Sequence, residues 1–138
     1  MNALSKLSVI AILWVVAALP MRGADQPRRE PSWVSLVSLI ATPEKYDGKY
    51  VRVLGVAYLD SRNSINAVFL TREDKLKANS SNGVFLYLPS SGRKTDRLNN
   101  SFVVVQGIFR SGEKGHLRVF SGSLVDVDRL EAVVGKIE

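Results

Sequence analysis

Cysteine is absent from this 138-residue chain, and histidine occurs once, as His116. The first absence removes disulfides, thiolate zinc sites, cysteine nucleophiles and a lipid-anchored cysteine. With one histidine, the common His-based zinc sets are excluded as well, leaving only oxygen ligands such as Asp126, Asp128 and Glu131, whose spacing matches no calcium loop. Long apolar runs are also scarce: the longest, residues 7–19, falls short of the roughly twenty residues a spanning helix requires. No Gly-rich phosphate cradle exists, because Ser111, Gly112 and Gly115 lack both the spacing and the strand-to-helix setting of one.

What is present begins with an export pattern. Lys6 gives a positive start, residues 7–19 an apolar stretch, and Pro20, Arg22, Gly23 and Ala24 end it, which is the tripartite layout of a signal peptide. The small-x-small rule is met at Val15 and Ala17, whereas Ala24 has Arg22 two positions before it, so cleavage is expected between Ala17 and Ala24. An uncleaved anchor over residues 7–19 is the lesser reading. Residues 25–31, with two prolines and several charges, read as a linker, and residues 32–138 as one domain.

The whole chain carries a formal charge of +6. Without Lys6 and Arg22, 17 basic residues remain against 13 acidic ones, an excess of +4. That surplus suits an anionic polymer, and it equally serves solubility.

Within the domain, Ser32 opens a pattern with Trp33, Leu36, Val37 and Ile40 on one helical face. Thr42, Pro43 and Glu44 then resemble a second helix start, and Asp47-Gly48 a turn. Residues 49–60 alternate as a strand does, with Gly55 mid-strand where a bulge or bend is expected. Further strands are expected over residues 67–70, 84–88, 102–110 and 117–121, with Val125 and Val127 alternating against Asp126 and Asp128 on a solvent face. Thr71 to Ala78 carries the cap and charge signals of a helical turn.

Two segments echo each other: Tyr50-Val-Arg-Val-Leu-Gly55 and Phe102-Val-Val-Val-Gln-Gly107. A pair of glycine-kinked, neighbouring antiparallel strands is what closing a small barrel requires. The stretch from Pro43 through Tyr46, Asp47, Gly48, Lys49, Val51 and Val53 to Gly55, with Gly107, Gly115, His116 and Gly122 downstream, resembles small exported bacterial proteins with an OB-like barrel. The resemblance covers residues 34–130. It implies a mainly β (α+β) fold, a five-stranded OB-like barrel with one or two short helices after a signal helix, and it implies no activity or cofactor.

For catalysis, His116 is the one available base of a Ser-His-Asp arrangement, yet it lies in a Gly-rich turn and no serine occupies a Gly-x-Ser-x-Gly elbow. The expectation is a non-enzyme. OB-folds commonly bind through the loop between their first two strands and the loop between their fourth and fifth. Here those loops carry Arg62 with Asn63, and Arg110, Lys114 and His116. Tyr58, Phe69, Phe85 and Tyr87 are either stacking platforms or core. The expected partner is a protein or envelope component, with a glycan or nucleic-acid ligand as the alternative and a hydrolase using His116 as the second.

Overall fold

A computed structural model describes residues 29–89 and 95–134. The export segment and its cleavage point lie outside the described residues, as does most of the linker. Among the described residues, no helix is long and apolar enough to cross a membrane.

The chain is mainly β, with six strands in one sheet and a few short helices. In order these are β1 (Ser32–Trp33), α1 (Leu36–Ala41), α2 (Pro43–Tyr46), β2 (Tyr50–Asp60), β3 (Ile65–Phe69), α3 (Arg72–Leu76), β4 (Gly83–Leu86), β5 (Phe102–Arg110) and β6 (Ser123–Ala132). Single 3-10 turns fill Ser80–Asn82, Asp96–Leu98 and His116–Arg118.

Strand pairing forms a closed circuit. β2 pairs with β3, β3 with β4, β4 with β6, β6 with β5, and β5 returns to β2. All of these pairs are antiparallel except β4–β6, and the two-residue β1 adds a parallel pairing to β2. The long β2 makes closure possible by serving two partners along its length. Its first half, Tyr50 to Val56, lies against β5, and its second half, Val56 to Asp60, lies against β3. Val56 faces both Phe69 and Phe102, so the handover occurs beside Gly55.

Alternation explains which residues fill the interior. Val51, Val53, Ala57 and Leu59 of β2 are buried and meet Val103, Val105 and Phe109 of β5, Val68 of β3 and Leu124 of β6. α1 adds Leu36 and Leu39 to the same cluster. Burying each such Leu, Val or Phe side chain contributes about 1.5–3 kcal/mol.

The two echoing strands are antiparallel neighbours, with Gly55 opposite Val103 and Gly107 opposite Val51. Three other expectations change. The first helix begins at Leu36, not Ser32: Ser35 has an extended backbone and its hydroxyl accepts from the Ser38 amide, which sets the start. Trp33 is consequently in a strand, and the buried helical positions are Leu36 and Leu39, while Val37 is 56% exposed. The circuit plus β1 makes six strands where five were expected. Residues 117–121 are not a strand: Leu117 and Arg118 both have left-handed backbones (φ 54° and 56°), which cannot continue a ladder.

α3 follows the sequence signals closely. Thr71 caps it by accepting from the Asp74 amide, and the Asp74 carboxylate in turn accepts from the Thr71 hydroxyl (2.7 Å), Asn79 (2.9 Å) and Asn82 (3.0 Å). These bonds, Thr71's first and Asn82's next, hold the Asp74 carboxyl below the ordinary value of 3.8. Its folded-state pKa is thus lower than its unfolded one, so its stabilisation is present above 3.8 and lost as pH falls through the folded value. Asp74→Asn is expected to flatten the acid limb of the stability curve, measured by chemical denaturation from about pH 5 to about pH 2. The flattening is partial, because Asp47 and Asp60 are also held low. An acid limb identical to that of the parent chain would contradict the assignment.

Candidate functional site

The five residues singled out by loop position are placed in three regions. Arg62 and Asn63 lie in the turn after β2, where Asp60 organises them: its carboxylate accepts from both amides (3.0 and 3.2 Å) and from the Asn63 side chain (2.7 Å). Arg110 ends β5 beside the opposite end of β2, its guanidinium close to Gly48. Next to it, Asp47 accepts from the Ser111 amide (2.8 Å) and hydroxyl (3.1 Å). Arg62 with Asn63 and Arg110 therefore stand at opposite ends of an eleven-residue strand, which at about 3.3 Å per residue is a separation on the order of 30 Å along its path.

Lys114 and His116 belong to the β5–β6 connection, which folds back across the outside of β3 and β4. Gly115 lies against the Phe85 ring, and Phe120 inserts between Phe85 and Phe69, with ring centroids 5.4 and 6.2 Å away. Phe69, Phe85, Phe120 and Ala67 form a second buried cluster outside the circuit, with Tyr58 and Ile65 packed on it. Phe69 and Phe85 are therefore core; Tyr58 is half-buried, and Tyr87 is 47% exposed. The connection leaves Leu117 78% exposed at its crest. His116 is exposed, and no described residue holds its imidazole in a hydrogen bond or ion pair.

The polar convergence missed by sequence reading is on the opposite side of the circuit. A cleft of about 980 Å³ lies over β2, β5 and β6, bordered by residues 29–31 of the preceding chain. Its floor is a connected network. Gln106 is almost fully buried; its amide donates to Asp128 (3.0 Å) and to the Tyr50 hydroxyl, while its carbonyl accepts from Arg52 Nε (2.9 Å). Tyr50 donates to the other Asp128 oxygen. Burial first, and the bond to Asp128 next, raise the Tyr50 phenol above its ordinary 10.0. Arg52 also lies over the Trp33 ring, 5.1 Å from its centroid.

Three strands supply this network because of a local irregularity. Gln106 faces Arg129 and Ile108 faces Val125, so the step from 106 to 108 on β5 matches a longer step on β6. The bulge turns Val127 toward the interior cluster and leaves Asp126 and Asp128 outside. Asp126 pays with a left-handed backbone at φ 49°. Gly107 is required beneath it, since a Cβ there would sit 2.7 Å from the Val125 carbonyl oxygen. The reading of Asp126 and Asp128 as a solvent face is consistent with their exposure, and Asp128 has the further role of closing the network. Among the described residues no cluster of three or more His, Asp or Glu side chains is placed to hold a metal.

No family model matches the chain, and no curated protein does. Among solved structures, the chain is similar to the S. pombe Stn1-Ten1 complex at 16% identity and a TM-score of 0.46, over 78% of this chain and 81% of that one.

Proposed function

We propose that this chain is an exported, non-enzymatic binding module on an OB-like barrel, acting outside the cytoplasm on a protein or envelope component. The carrying observation is the cleft over β2, β5 and β6, where buried and half-buried polar side chains converge without a reactive pair. The circuit itself supports the barrel reading: its first long strand pairs with the second and the fourth, and a parallel pair joins the third to the fifth. The sequence pattern of residues 1–24 supports export.

The surface that OB-folds commonly use, the face of the second and third strands, is occupied here by the chain's own Phe120 and Gly115. That favours the cleft as the working surface over the basic loops. His116, exposed and unattached to a carboxylate among the described residues, supports a binding role over hydrolysis.

Expression of the full chain in a bacterial host, followed by fractionation, tests the reading. A processed chain in the periplasmic or extracellular fraction that co-sediments with isolated envelopes is expected, and His116→Ala should co-sediment equally. A chain retained whole in the cytoplasm, or envelope-derived turnover that His116→Ala abolishes, would overturn it.

A further inference from the structure

We propose that the cleft over β2, β5 and β6 binds a neutral saccharide; this deepens the binding-module reading and rests on it. The chemistry of the cleft decides the class. Sugar hydroxyls both donate and accept, so they suit a surface that interleaves donors with acceptors. Arg52 presents its two terminal nitrogens, for which no described residue is an acceptor, because only Nε is engaged, by Gln106. Asp126 presents a carboxylate that no described residue bonds. Guanidinium and carboxylate are both planar two-point groups, matched in spacing to adjacent ring hydroxyls.

An aromatic ring stands next to Arg52, outside the cleft lining itself. Trp33 is 60% exposed, with Arg52 over one ring face, so its remaining surface extends the site past Arg52 for the apolar face of a pyranose. The network behind the surface is already satisfied: Gln106, Tyr50 and Asp128 lock one another and fix the Arg52 side chain before any ligand arrives. The left-handed backbone of Asp126, forced by the bulge, keeps its carboxylate on the cleft side of β6.

Charge favours a neutral ligand over a polyanion. Two cations, Arg29 and Arg52, line it with three carboxylates, Glu30, Asp126 and Asp128, and Arg110 stands at its Gly48 edge, so the cleft offers no net-cationic track for a phosphate or sulfate chain although the whole protein is basic. The lining thus differs in residues and charge from the Arg62 and Lys114 loops.

Trp33 also reports on the site. The chain's second tryptophan, Trp14, is in the export segment, so a ligand-dependent change in tryptophan emission of the full chain is assigned to Trp33 by its loss in Trp33→Ala. The experiment titrates the protein with a panel of neutral oligosaccharides from bacterial envelopes, with heparin and single-stranded DNA as polyanions, at low and high salt. A saturable emission change with at least one neutral member, insensitive to salt, is expected. Asp126→Asn, which keeps an αL-tolerant side chain of the same shape, should weaken it about tenfold. The combined Arg62→Ala and Lys114→Ala variant, which changes no residue at the cleft, should bind as the parent does.

Binding of heparin or DNA alone, lost at high salt or in the Arg62→Ala, Lys114→Ala variant, would overturn the proposal in favour of a polyanion on the loops. No response to any neutral saccharide, or a response indifferent to Asp126→Asn, would also overturn it. Envelope co-sedimentation that is destroyed by protease digestion of the envelopes, with no saccharide response, would leave the binding module standing and remove only the saccharide.

Discussion

Gly55→Val is expected to lower stability by about 3 kcal/mol, at the upper end for overpacking of a filled interior. The glycine faces inward at the point where β2 passes from β5 to β3. A Cβ there would meet Val68 Cγ2 in outright overlap and stand 2.6 Å from Leu36 Cδ1 and 2.7 Å from the Phe69 carbonyl oxygen. The side-chain neighbours are held between α1 and β3, and the carbonyl belongs to the ladder, so none of the three can move independently. Space, not backbone freedom, sets the requirement, since the left-handed glycines of the described residues are Gly48 and Gly115. For a domain of this size the loss is a fall in melting temperature of roughly 10–20 °C. Gly55→Ala carries the same Cβ and should show most of the effect. Thermal unfolding at the parent midpoint for both variants would show that β2 and α1 are not packed this closely.

A comparable loss, about 3–5 kcal/mol, is expected for Phe109→Ala through the cavity it leaves. Phe109 is fully buried, and both its backbone groups bond across the circuit: its amide donates to the Lys49 carbonyl (2.9 Å) and its carbonyl accepts from the Gly48 amide (2.8 Å). Gly122 lies against the far edge of its ring. The ring belongs to the interior cluster filled from α1 and from β2 through β6, so the space it leaves is bounded by paired strands and cannot collapse freely. Denaturant unfolding gives the test, and a loss below about 1 kcal/mol would place the ring outside the interior cluster. Phe120 is a useful contrast. It is also buried, but it plugs the outer cluster from a connection rather than a strand, so Phe120→Ala should loosen that connection with a smaller global loss.

The candidate binding surface was legible only in fragments. Arg62, Asn63, Arg110, Lys114 and His116 are conspicuous because polar side chains in and beside the connections between strands are visible one residue at a time. Tyr50, Arg52, Gln106 and Asp128 are not, because each occupies an ordinary outward position of a strand pattern. One available signal was Gln106 itself, a polar residue inside an otherwise apolar run beside Gly107. A near-buried amide there requires partners from other strands.

The local chemistry of the chain was readable directly. Alternation placed β2 and β5, the latter from Phe102 to Arg110, and the Thr71 cap with Glu73 and Asp74 placed α3, because those signals act within one strand or one turn. The Tyr50–Gly55 and Phe102–Gly107 echo marked two strands as neighbours, since both glycines answer to close approach. Other features depended on contacts distant in sequence. Leu117, Val119 and Phe120 have strand composition, yet their connection turns left-handed and spends Phe120 on an aromatic cluster built by β3 and β4. The β6 bulge and the network it completes join residues 56 and 22 positions apart, Tyr50 and Asp128 each to Gln106. Periodicity specifies which way a side chain faces; only closure of the circuit decides what it meets there.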